Sequence, residues 1–137
     1  MNLSPKTTDN VTELLTSIRE FTERRDEILT QNLVNFRTPG FVPRDLDAMG
    51  FTEVMTYAIS EYIANKHILL QDTETIKFGE NGSFESSPII DRYSKELLKN
   101  DINEYVRLQI RKTSENLLNK KLADRLLKQK QKQHLMA

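Results

Sequence analysis

Asn32-Leu33-Val34-Asn35-Phe36-Arg37-Thr38-Pro39-Gly40-Phe41-Val42-Pro43-Arg44-Asp45 is the stretch that decides how this chain folds. A helical pattern runs into it from the N-terminal side: Val11, Leu14, Ile18, Phe21 and Ile28 recur at spacings of three, four and seven, a heptad-like seam. Asn32 and Asn35 continue that seam as amides, so this part of the face can hydrogen-bond across a contact as well as pack. Pro39 pushes Thr38 out of the helical region and brings no amide proton. Gly40 permits a backbone turn that a side chain would resist. Phe41 then follows as an anchor on the exit strand.

Working outward, Arg25 stands where the seam expects an apolar residue, and Leu15, Leu29 and Leu33 broaden the stripe. Residues 1–9 are polar and read as a loose start, with Thr8, Asp9 or Asn10 as the cap of the first helix. After the turn, 41–50 reads as a loop or short extended stretch. Residues 51–65 keep helical spacing through Phe51, Val54, Met55, Ala58, Tyr62 and Ile63. Ile68-Leu69-Leu70 opens the strand region. Ile76-Lys77-Phe78, the turn Gly79-Glu80-Asn81-Gly82 and Ser83-Phe84-Glu85 predict a β-hairpin with Ile76, Phe78 and Phe84 on one face. A short helix is predicted over 90–99. The last helix, capped by Asn100 or Asp101, runs to about 133, and its apolar set is Ile102, Val106, Ile110, Thr113, Leu117, Leu118, Leu122 and Leu126.

The predicted fold is therefore mainly α. An N-terminal helical segment (1–37) and a C-terminal helix with a basic tail (101–137) pack as an antiparallel, coiled-coil-like hairpin. Between them lies a small irregular middle region (38–100) with a loop, a short helix and a β-hairpin. The helix-packing residues are Val11, Leu14, Ile18, Phe21 and Ile28 on one side, and Ile102, Val106, Ile110 and Leu117 on the other.

Composition excludes several classes. The chain has 137 residues, one domain's worth, of which 37% are hydrophobic and 29% charged, a lean balance that suits helices packing through one stripe. Twenty Lys and Arg balance twenty Asp and Glu, so no global field steers it to nucleic acid or anionic lipid. With no cysteine, disulfide and thiol chemistry are excluded. No run approaches the roughly 20 apolar residues a bilayer requires. The polar start has no apolar stretch after a basic one, so a general secretory signal is not expected.

Candidate chemical groups are sparse. Asp45 and Asp47, with Glu53 near, lack convergent partners and read as a solvated loop beside Arg44. His67 and His134 are the two histidines and read as surface residues, too isolated for zinc. There is no nucleophile elbow and no phosphate-binding loop. Lys120, Lys121, Arg125, Lys128, Lys130 and Lys132, opposed by Asp124, form a basic tail that reads as a solvated helix face. It has no aromatic residues to stack bases. These observations predict no enzyme activity, no cofactor, no metal, no nucleic acid and no small-molecule substrate.

The segment Asn32, Asn35, Thr38, Pro39, Gly40, Phe41 resembles the N-terminal signature of bacterial flagellar axial proteins, Asn-x-x-Asn-x-x-Thr-Pro-Gly-Tyr/Phe. Arg25-Asp26-Glu27-Ile28-Leu29 resembles the Arg-Gln-Glu-Ile/Val-Leu run of the proximal-rod subunits of the flagellar basal-body rod family. Arg44-Asp45-Leu46-Asp47 resembles their Arg-Asp-Ile/Val-Asp-Phe run. The resemblance is close over about residues 18–55. Elsewhere the chain departs from the family. Lys99-Asn100-Asp101-Ile102-Asn103 lacks the family's glycine before the last helix, Asn116 is the nearest counterpart of its Asn-x-x-x-Tyr-Gln run, and the Lys/Gln-rich extension after Leu127 is unusual.

The resemblance implies a structural subunit that self-assembles helically, its terminal helices surrounding an export channel and its middle region forming an outer layer. Asn32, Asn35, Thr38, Pro39, Gly40, Phe41, Arg44 and Asp45 would be the assembly motif. Implied partners are other copies of itself, other rod subunits, the membrane-ring and rod-adaptor proteins and the flagellar export apparatus. The implied location is the rod across the periplasm, reached without a cleaved secretory signal. The alternatives are a small helical adaptor that binds partner helices, and a divergent rod paralogue in a related type III secretion apparatus.

Overall fold

The computed structural model describes residues 9–80 and 83–136. The loose start, Thr8 as a cap, the Asn81-Gly82 part of the hairpin turn and the side chain of His134 lie outside the described residues. In chain order the elements are α1 (Asn10–Val34), β1 (Arg44–Asp45), α2 (Ala48–Asn65), β2 (Ile76–Phe78), β3 (Phe84–Ser86), β4 (Ile89–Ile90), α3 (Arg92–Asn100) and α4 (Ile102–Met136). The mainly α architecture follows the sequence expectation. Long helices stand at both ends, and a small middle region carries a helix and two antiparallel two-stranded sheets, β1–β4 and β2–β3.

Local chemistry sets the helix ends. The Asp9 carboxylate accepts from Thr12 N at 2.7 Å and caps α1, and the Asp101 carboxylate accepts from Glu104 N at 3.2 Å at the start of α4. Asp47 caps α2 by accepting from Gly50 N at 2.9 Å. A Cβ on Gly50 would stand 2.3 Å from Asp47 Oδ2, so this cap needs the glycine. Lys66, in the left-handed region at φ 63°, closes α2. The helix therefore begins three residues before the predicted Phe51, because the Asp47 cap recruits Ala48, Met49 and Gly50.

α1 and α4 run antiparallel. Lys130 reaches Asp9 at one end (3.0 Å), Asn116 donates to Thr22 O midway (2.7 Å), and Asn32 and Gln109 meet towards the other end (3.0 Å). The apolar core lies to one side, among the first half of α1, α2 and the β2–β3 hairpin. It gathers Leu14, Phe21, Leu46, Phe51, Val54, Met55, Ala58, Ile76 and Phe84. Phe21 stacks on Phe51 with ring centroids 4.0 Å apart, and Phe84 caps the pair at 5.7 Å from Phe51. Each such buried ring or aliphatic chain stabilises the fold by about 1.5–3 kcal/mol. The hairpin pairs Ile76 with Ser86 and Phe78 with Phe84. Ile76 and Phe84 are buried and Phe78 packs against the core, as the alternation requires.

The structure corrects the packing stripe of α4. Ile102, Ile110 and Leu117 are exposed, as are Leu118 and Leu122, and Val106 is half-buried. The residues turned inward are Tyr105, Leu108, Gln109, Asn116, Ala123 and Leu127, with Lys112 half-buried among them. The physical reason lies in the partner. The face of α1 that α4 meets carries Thr22, Arg25 and Asn32, so the matching face must donate and accept hydrogen bonds. Apolar periodicity alone selects a face turned away from it. On α1, Leu14 and Phe21 are buried, whereas Val11, Ile18 and Ile28 are partly covered.

Two further expectations change. Ile68-Leu69-Leu70 forms no strand, and Ile68 and Leu70 pack against the core from a loop. The pairing not foreseen joins β1, within the stretch read as a loop or short extended segment, to β4, which was not predicted: Arg44 pairs with Ile90 and Asp45 with Ile89. Two residues are too short for alternation to reveal.

Candidate functional site

The helix stop forms a braced corner. α1 ends at Val34, and the Asn35 amide proton is donated to Gln31 O at 2.9 Å. Thr38 N donates to Asn35 O (2.9 Å) and Phe41 N to Thr38 O (3.1 Å), so Thr38-Pro39-Gly40-Phe41 is a reverse turn. Gly40 has φ +80°, which with Pro39 before it makes the type II form. Gly40 faces open space, so backbone conformation and not crowding selects the glycine. Thr38, Pro39 and Gly40 are exposed. Phe41 is only half-buried, which corrects its expected role as an inserted anchor. The aromatic that packs at this corner is Phe36, 6.1 Å from the Tyr105 ring, and the side chains that go inside after the turn are Pro43, Asp45 and Leu46.

The two asparagines have different fates. Asn35 remains partly exposed with its amide on the Gln31 side chain. Asn32 is 1% exposed and uses both ends of its amide. Oδ1 accepts from Arg44 N at 3.1 Å, and Nδ2 donates to Arg44 O at 2.8 Å and to Gln109 Oε1 at 3.0 Å. A side-chain amide thereby imitates a strand and holds the chain leaving the turn against α1. Tyr105, fully buried, donates its hydroxyl to Asn32 O at 2.7 Å. Burial, with the negative charge of Asp91, pushes the Tyr105 hydroxyl up to about 12.

Beside this amide lies a buried ionic group that sequence reading missed. Asp45 is 7% exposed, not solvated as expected. Its two oxygens accept from Arg25 Nε at 2.8 Å and Nη2 at 3.0 Å, the bidentate geometry of a guanidinium–carboxylate pair. Lys112 Nζ bridges from α4, 3.0 Å from Asp45 and 2.7 Å from Asp91. Asp91 also accepts from Ser94 N and Oγ, capping α3, and Gln109 donates to Ser94 Oγ at 2.8 Å. Burial works against the Asp91 carboxylate, yet hydrogen bonds from Lys112 and Ser94 outweigh it and hold its carboxyl below the usual range. Burial likewise opposes the Lys112 charge, and the Asp91 hydrogen bond with the Asp45 charge overcomes it and raises the amine.

The arrangement is continuous: Arg44 backbone, Asn32, Gln109, Ser94, Asp91, Lys112, Asp45, Arg25. It ties α1, β1, α3 and α4 together with two cations and two anions. Ser86 Oγ is the one buried side-chain polar atom without a partner among the described residues. A satisfied network of this kind fixes geometry more than it adds stability. The interruption of the seam at Arg25 was the visible trace of it. Nothing marked Lys112, Asp91 or Gln109, because their partners lie 15 or more residues away in sequence or within a turn. Arg44 contributes its main chain here, and its side chain is exposed.

The remaining candidates stay apart. Asp47 is a helix cap, and its Oδ2 accepts from Thr75 Oγ1 at 3.1 Å. His67 is exposed at the end of α2. No group of three or more His, Cys, Asp or Glu among the described residues could hold a metal, and no described helix is long and apolar enough to cross a membrane. A cleft of about 320 Å³ opens between α1, α2 and α4, lined by Leu15, Ile18, Phe51, Met55, Leu122 and Leu126. Comparisons with protein-family models, with curated proteins and with solved structures find no match.

Proposed function

We propose that this chain is a structural subunit of a bacterial flagellar basal-body rod of the proximal type, assembling with copies of itself and with other rod subunits around the export channel. The observation that carries the reading is the braced corner. The residues of the Asn-x-x-Asn-x-x-Thr-Pro-Gly-Phe signature form a single mechanical unit: Asn32 anchors the departing chain, and Thr38 to Phe41 reverse it. The apolar residues of α4 support the same reading. Ile102, Ile110, Leu117, Leu118 and Leu122 are left in water by the lone subunit, and such residues are covered when neighbours pack alongside. An open helical array needs a patch on one copy to meet a different patch on the next. Membrane-ring and rod-adaptor proteins and the export apparatus are the proposed neighbours, and the rod spanning the periplasm is the proposed location. The alternative of a helical adaptor predicts a closed, small complex instead of a growing one.

Gly40 gives the test. Gly40→Val forces a β-branched residue into φ +80°, at a cost of about 1–3 kcal/mol. Gly40→Asn keeps a residue that tolerates that region. In the cell that makes this chain, the valine variant should abolish swimming and rod growth and the asparagine variant should retain both. Normal swimming with valine would refute the reading.

A further inference from the structure

We infer that copies of this chain join side by side through opposite charges on the solvent faces of α4 and α1. The proposal deepens the rod reading and rests on it for its setting; the contact itself is argued from this surface alone. Charge balances over the whole chain but not over the hairpin. On α4, Arg107, Arg111, Lys121, Arg125, Lys128 and Lys132 are all exposed and follow one outward face, with Leu118 (67% exposed) and Leu122 (53%) between them. Glu104, at the start of this face, is already paired with Arg107 at 2.9 Å. On α1 the outward face is predominantly acidic: Glu23 and Glu27 are exposed, Glu20 and Asp26 are half-buried beside them, and Arg19 and Arg24, also half-buried, are the cations that flank them. Glu20 meets Arg24 only loosely, at 3.8 Å.

The spacings match. Lys121, Arg125 and Lys128 advance by four and then three residues, and Glu27, Glu23 and Glu20 retreat by four and then three. One antiparallel register therefore sets Lys121 opposite Glu27, Arg125 opposite Glu23 and Lys128 opposite Glu20 of the neighbouring copy, with Leu118 against Thr30. Copies standing in the same orientation present α4 antiparallel to the next α1, because the two helices are antiparallel within each copy. Inside one chain Asn116 is level with Thr22, which puts Lys121 level with Ser17. Meeting Glu27 of the next copy displaces that copy by about ten residues, roughly 15 Å along the helix axis. The contact joins unlike faces with a stagger, so it climbs and stays open instead of closing a ring. The exposed leucines of α4 are covered in the same step.

The test is sedimentation velocity of the full chain over a concentration series. The wild type should associate progressively, and association should weaken at least about tenfold when the screening length falls from ~10 Å at about 0.1 M NaCl to ~3 Å at about 1 M. K121E/R125E/K128E and E20K/E23K/E27K should each remain monomeric, because each presents the same sign on both faces. An equimolar mixture should associate again as an alternating array, which also shows that both variants are folded. Variants that associate as the wild type does, or a mixture that stays monomeric, overturn the charge pairing and leave the rod reading to the Gly40 test. A wild type that remains monomeric at about 1 mM in low salt overturns it too. The same holds if it binds phosphatidylglycerol vesicles or duplex DNA through α4 in place of itself.

Discussion

Replacing Lys112 by methionine tests the buried ionic group quantitatively. The side chain keeps its length and loses its charge. Lys112 lies 3.0 Å from Asp45 and 2.7 Å from Asp91, with its side chain 22% exposed. After the change Asp45 retains the bidentate Arg25 pair, so it loses one of two cations. Asp91 retains the two Ser94 donors and loses its cation. Removing one partner of a fully buried pair costs about 3–5 kcal/mol. The retained donors and the partial access of water reduce this to about 2–3 kcal/mol, or roughly 8 °C in Tm for a chain of this size. Urea denaturation followed by far-UV circular dichroism near neutral pH reads the change. Asp91→Asn keeps a good helix cap and completes a double-mutant cycle in which Lys112 and Asp91 should couple by at least about 1 kcal/mol. A loss under about 0.5 kcal/mol for Lys112→Met, or a cycle additive within about 0.3 kcal/mol, would refute the claim that this lysine links the two carboxylates.

Asn32→Ala leaves the Arg44 N–H and C=O and the Gln109 amide oxygen without their partner, a loss of about 3 kcal/mol, whereas Asn35→Ala should cost less than about 0.5 kcal/mol at its partly exposed position. Amide exchange should locate the first effect at Arg44. The acid limb of stability should involve Asp91. Its folded carboxyl lies below the ordinary 3.8, so the folded state binds fewer protons there than the unfolded chain. Its contribution is complete above that value and disappears as pH falls through the lower folded one. Asp91→Asn should flatten this limb in urea titrations from about pH 5 downward. On the alkaline side Tyr105 has the opposite sign. The group rises from 10.0 to about 12, so the folded state holds its proton longer, and stability is lost as pH climbs from the first value through the second.

The hairpin of terminal helices, the β2–β3 pairing and the Thr38–Phe41 turn were legible in the sequence because each has a local signature: a 3.6-residue period, a Gly-bounded turn between alternating strands, and Pro-Gly at a helix end. The face by which α4 packs was not legible. Its inward residues include Gln109, Lys112 and Asn116, which any hydrophobic pattern assigns to solvent, while Ile102, Ile110, Leu117, Leu118 and Leu122 are outside. The same blindness hid Asp45. A carboxylate between Arg44 and Leu46 looks like a loop residue until Arg25 and Lys112, 20 and 67 positions away, are placed beside it. Arg25 and Asn32, polar residues standing in an apolar seam, were the local signs that this interface is wired by hydrogen bonds.

The rod reading is tested most directly by mass spectrometry of basal bodies purified from flagellated cells that make this chain. The account predicts the chain in those preparations in several copies per basal body, together with the other rod subunits, and lost with them when rod assembly is blocked. Intact basal bodies that contain none of it would contradict the account.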